Sequence, residues 1–180
     1  MTEKVTGLVI ACCAVCAIAV SAGSAGSQSA PGPVRVGLYD SRAVALAYGR
    51  SESFMKALRD LKGEADKAKD GKDEARVKRL DAEGRALQDL LHQQVFSTGS
   101  VNNIMKKINP ELPAIGKEVG VSVIVSKWEV AYGDPSVEYI DVTSRLVRLF
   151  HPSEQTLKII ESLGKQEPVP LDKIRMETSK

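Results

Sequence analysis

The residues of this chain that could do chemistry are two histidines, three cysteines and a large set of carboxylates. His92 and His151 lie far apart in sequence, and neither has a neighbouring Cys, a Ser elbow or an HExxH context that would make it a base or a ligand. Cys13-Ala14-Val15-Cys16 has the spacing of redox and zinc thiol pairs. It sits inside an apolar N-terminal run, however, and not at a strand–helix junction. The Asp and Glu residues alternate with Lys and Arg, the pattern of a solvated helix face and not of a carboxylate pair poised for acid/base work. There is no Gly-rich phosphate loop. The residues therefore point to no catalytic group, no metal site and no cofactor. A net charge of +2 over 180 residues gives no global basic field, so nucleic acid is not an expected partner.

The chemistry that remains is apolar contact, and its spacing is regular. Phe54, Leu58, Leu61, Ala65 and Ala68 recur at intervals of 4, 3, 4 and 3 residues. Val77, Leu80, Gly84, Leu87 and Leu91 recur at 3, 4, 3 and 4. Both are coiled-coil seams. At about 100° per residue, one unbroken helix would put the two seams on opposite faces. A reversal at Asp70-Gly71, with Asp73 capping a new helix, lets them meet. Ala68 then faces Val77, Ala65 faces Leu80, Leu61 faces Gly84, Leu58 faces Leu87 and Phe54 faces Leu91. The alternative is an oligomeric coiled coil of separate helices. The arm surface carries ten Lys/Arg and ten Asp/Glu between positions 51 and 95. Met55, Leu90, Val95 and Phe96 are apolar but off the seam, which leaves two readings: packing against another subunit or the head, or contact with a client polypeptide.

The elements around the arm follow from local signals. Residues 1–22 have the layout of a signal peptide: a short polar start, an apolar run over 5–20, and small residues at Val20-Ser21-Ala22. An uncleaved anchor is the alternative, and Val9-Ile10-Ala11-Cys12 is also similar to a lipidation box. Residues 23–33 read as a linker. Residues 34–39 alternate as a strand, and Asp40-Ser41 can cap a short helix that Gly49 ends. Ser97-Thr98-Gly99-Ser100 interrupts the second arm helix, and a proline-broken helical stretch ends at Gly120. Residues 121–126 and 128–132 are expected as two strands of a hairpin, with Gly133-Asp134-Pro135 as turn chemistry. Asp141 is expected to cap a helix through Phe150, and Ser153 to begin another that ends near Gly164. Residues 165–180 read as a flexible tail. The fold expected is α+β: a small β-sheet head (34–50 and 120–150), a protruding antiparallel helical hairpin (51–119), and an extra helix (151–164).

In its order of elements, and most closely in VSVIVSKWEVAYGDPSVEYIDVTSRLV, this chain resembles the Skp (OmpH-like) family of periplasmic chaperones. Val130-Ala131-Tyr132 looks like that family's second strand, and Asp141-Val142-Thr143 like its helix start. The resemblance implies an ATP-independent holdase and a homotrimer whose heads join through their strands. Its three arms would cage unfolded outer-membrane or envelope proteins, with no cofactor. It implies a periplasmic location, with a membrane contact only if the leader is retained or lipidated. The other reading is a membrane-tethered envelope coiled-coil adaptor that binds one folded partner.

Overall fold

A computed structural model of the chain describes residues 32–177. The leader at 1–22, its three cysteines, most of the linker and the last three residues lie outside the described residues. The order of elements is β1 (Arg35–Tyr39), α1 (Ser41–Gly49), α2 (Glu52–Asp70), α3 (Glu74–Phe96), α4 (Asn102–Met105), α5 (Leu112–Val119), β2 (Val123–Ser126), β3 (Glu138–Asp141), α6 (Thr143–Arg148), α7 (Glu154–Gly164) and α8 (Leu171–Glu177). A single 3-10 turn, Asn109–Glu111, precedes α5, where Pro110 can open a turn but not continue a helix.

The sheet corrects the expected α+β head. Its three strands run β2-β1-β3 and all are parallel, so the fold is α/β. Val36 pairs with Val123 on one side and with Tyr139 on the other. Residues 128–132, expected as the second strand of a hairpin, form none. The reason lies just past β2. The backbone N–H of Glu129 donates to the Ser126 carbonyl, which closes a turn, and the Trp128 indole donates to Asp40 Oδ1 at 3.2 Å. The chain then crosses β1 back to the amino ends of the strands. There an Asp134–Ser136 turn, with Ser136 N–H on Asp134 Oδ1 at 2.9 Å, feeds β3. A crossing segment, unlike a hairpin turn, brings the next strand in parallel.

Arg35 fixes the start of the sheet. Its Nε donates to Glu138 Oε2 at 2.9 Å, and Nη1 donates to the Val119 and Gly120 carbonyls at 2.9 and 3.2 Å. Gly120 ends α5 in the left-handed region at φ 68°, and a Cβ there would lie 2.5 Å from Arg35 Nη1. Only glycine suits both demands.

Helix α1 is the centre of the core. Val44, Ala45 and Ala47 are fully buried, and α1 packs against α3, α6 and α7. Its small side chains let these neighbours come close: a Cβ on Gly49 would meet Leu91 Cδ2 at 2.5 Å. Tyr48 meets Phe54 and Phe150 edge-on, with ring centroids 5.2 and 5.8 Å apart. Ile104, Leu146, Val147 and Leu163 complete the same core. The arm is therefore rooted by Phe54 at one end of α2 and by Val95 at the end of α3.

Beyond that root, α2 and α3 run antiparallel and pack along each other. Ser51 and Asp73 cap them, accepting from Phe54 N–H and Arg76 N–H. The reversal uses Lys72, not Gly71, as its left-handed residue: Lys72 has φ 55° and Gly71 has φ −77°. The Asp73 N–H donates to the Ala68 carbonyl at 2.9 Å and closes the turn. The tail also differs from its expectation. Residues after Gly164 form α8, and Val169 N–H donates to the Phe96 carbonyl at 2.8 Å.

Candidate functional site

The arm's seam does not close along its whole length. Phe54, Ala65, Ala68 and Leu80 are buried, while Leu58, Leu61, Val77, Leu87 and Leu91 are only half-buried. Between α2 and α3 lies an open groove of about 430 Å³. Leu58, Leu61, Ala65 and Leu80 form its apolar floor, and Gly84 leaves it without a side chain where Leu61 needs a partner. A Cβ built on Gly84 would touch nothing within 4 Å, nor would one on Gly63. The rim is charged: Lys62, Asp66 and Lys69 from α2, Asp81 and Arg85 from α3. Apolar floor, charged rim and room for a side chain suit an extended or helical polypeptide better than a compact polar metabolite.

The four off-seam residues divide. Met55, Leu90 and Phe96 are 43%, 41% and 45% exposed, so all three can be touched from solvent. Val95 is buried in the core at the arm's root and presents no surface to a client. Residue 95 is the next position after Gln94, which is itself buried and donates to the Ser100 carbonyl and to Asn103 Oδ1 at 2.7 and 2.6 Å. That face of α3 therefore turns inward. Phe96 points away from it and rests its ring against His92, with centroids 4.7 Å apart.

A second polar feature was missed by sequence reasoning. At the carboxyl ends of the strands, Asp40 is surrounded by donors. Its Oδ1 accepts from Arg42 N–H, Arg42 Nε and Trp128 Nε1, and its Oδ2 lies 3.3 Å from Arg42 Nη2 and 2.8 Å from Lys127 Nζ. The Arg42 and Lys127 cations also lie 4.9 and 4.5 Å from the Trp128 ring centroid. Burial pushes the Asp40 carboxyl up, but hydrogen bonds from Lys127, Arg42 and Trp128 outweigh it and hold the group below its ordinary range. Beside it, burial together with the Glu129 charge pushes the Tyr39 phenol up to about 12. A cleft of about 440 Å³ opens here between Leu38, Ala43, Tyr139 and Ile160. Both Asp40 oxygens are committed within the fold, so the cluster ties β1, α1 and the crossing segment together. The signal available in the sequence was Arg42, a lone cation in a helix whose neighbours are all apolar or small. Such a residue demands a buried counter-charge.

Among the described residues, no three His, Cys, Asp or Glu side chains are grouped to hold a metal ion. Among the same residues, no helix is long and apolar enough to cross a membrane. No family model matches the chain. Likewise, no curated protein and no solved structure matches it significantly.

Proposed function

We propose that this chain is an ATP-independent holdase of the periplasm that binds unfolded outer-membrane or envelope polypeptides along its helical arm. The open α2–α3 groove carries the reading: an apolar floor stays accessible over a stretch where two seam helices would be expected to close. Exposed Met55 and Leu90 add apolar contact outside the groove. Low contact density toward Gly84 lowers the local cost of opening, which suits a wall that must adapt to many clients. Many weak contacts of this kind hold a non-native chain without chemistry and without a nucleotide. The parallel sheet is unlike the antiparallel head of the Skp family, so the head part of that resemblance falls. The leader-like start suggests the compartment, and the charged helical arm is the part of the resemblance that still suggests the client class. Assembly into a homotrimer belongs to the same proposal. The outer row of the sheet favours self-association, because Val123 is 53% exposed beside Val36 and Tyr139 and both edge strands are open among the described residues.

The test is suppression of aggregation of an unfolded β-barrel protein. Leu61→Asp, and separately the double variant Met55→Asp/Leu90→Asp, should lose most of the suppression while keeping the circular dichroism and melting of the parent. Full suppression by both variants would refute the arm as the binding surface.

A further inference from the structure

Helix α3 ends at Phe96, and the last carbonyls of a helix have no partner within it. The Phe96 carbonyl finds its partner near the carboxyl end of the chain, in the segment Pro168-Val169-Pro170, where Val169 N–H donates to it at 2.8 Å. Proline has no backbone N–H, so Val169 is the single donor of this three-residue run. The segment is pinned on either side. Before it, the Gln166 carbonyl accepts from Arg42 Nη1 at 2.8 Å. After it, Leu171 lies beside Gly99, and Ile174 of α8 is only 4% exposed although it is no part of the main core. Yet the Phe96 ring stays 45% exposed. Between this ring and α7 lies an unfilled groove of about 320 Å³, with Ile159, Leu163 and the stem of Lys158 in its wall.

We propose that residues 168–177 are an exchangeable strap: they occupy a docking line for extended polypeptide at Phe96, and an apolar segment of a bound client takes their place. The proposal rests on the polypeptide-binding reading given above. The chain's own segment displays the recognition chemistry. Its backbone offers one N–H to an orphan helix carbonyl, and the Phe96 that accepts it also lines the open groove. Any unfolded segment carries the same N–H, and most also carry an apolar residue for the groove that Val169 leaves empty. Release of the strap costs one hydrogen bond and the burial of Ile174, and the seven-residue helix that carries Ile174 has little stability of its own to add. The Phe96 line lies at the root of the arm, so a client running along the α2–α3 groove would reach it.

Two variants separate the strap from the arm. Val169→Pro removes the one donor and stiffens a backbone already flanked by prolines, and Ile174→Asp ejects α8. The full chain and both variants are mixed with a reduced, carboxymethylated protein as the unfolded probe. Binding is read by fluorescence anisotropy, and hydrogen exchange is read over 166–177. We expect the probe to raise exchange in the strap of the parent, and each variant to bind about fivefold tighter, since the competing segment has been released. Unchanged strap protection on binding, with parental affinity in Val169→Pro, overturns the strap; if Leu61→Asp still loses the probe, polypeptide binding survives that result. No binding by the parent or by either variant overturns both.

Discussion

Arg42 lies 1% exposed with its guanidinium 3.3 Å from Asp40 Oδ2, a buried ion pair at the head of a helix that is otherwise apolar. The pair is not isolated, because Lys127 and Trp128 reach the same carboxylate from the segment after β2. It is the point at which two distant parts of the chain are made to agree on one fold.

Removing the acceptor should be costly. Asp40→Asn leaves Arg42 buried without its counter-charge, and the loss should be about 3 kcal/mol at pH 7. The pH dependence has a definite sign. The Asp40 pKa is depressed in the folded chain, so its contribution is fully present above the unfolded value of about 3.9 and is lost as pH falls through the lower, folded value. Urea unfolding should show a wide gap between parent and variant at neutral pH that narrows below about pH 4. A gap independent of pH would mean that the carboxylate's charge is not what stabilises the fold.

Gly84 sits in a helix interior with open space where a side chain would be. Gly84→Ala should therefore stabilise the arm by up to about 1 kcal/mol through helix propensity alone. Slower amide exchange in α3 on the tip side of Leu87 would register this. A loss of stability would show that the groove floor is tighter than its geometry indicates.

Gly120→Ala should act in the opposite direction. The left-handed backbone and the nearby Arg35 guanidinium both reject a Cβ, and the expected cost is about 1–2 kcal/mol. Arg35→Lys at the same place removes the steric conflict but also the Nη1 donor shared by the Val119 and Gly120 carbonyls and the Nε/Nη2 fork on Glu138. Combining Gly120→Ala with Arg35→Lys should then recover only part of the loss in a thermal melt.

Export and assembly are read together by mass. The chain recovered from an exporting cell should begin just after Ala22, and native mass spectrometry should show trimers that capture one unfolded β-barrel client. An intact leader with a monomer inert toward clients would instead favour the envelope adaptor.

Signals carried by near neighbours are legible in the sequence itself. The 3-and-4 spacing from Phe54 to Leu91, the stop at Asp70-Gly71, the caps at Asp73 and Ser153 and the alternation of residues 34–39 each depend on a few adjacent residues, because helix periodicity and capping are local. The same applies to Met55, Leu90 and Phe96 as apolar residues off the seam. Burial is not legible in the same way. Val95 and Phe96 are adjacent and both apolar, and only the packing of α3 on the core puts one inside and leaves the other outside. Strand pairing lies further out of reach. Residues 128–132 alternate well enough to be a strand, but Trp128 is bonded to Asp40, 88 residues earlier, and the chain turns there instead. The tail, polar and rich in proline, gives no local reason to be ordered; its order comes from the Phe96 carbonyl, the Arg42 guanidinium and the pocket for Ile174. Sequence alone determined what depends on the next few residues, and the tertiary structure decided what depends on partners that meet only after the chain has folded.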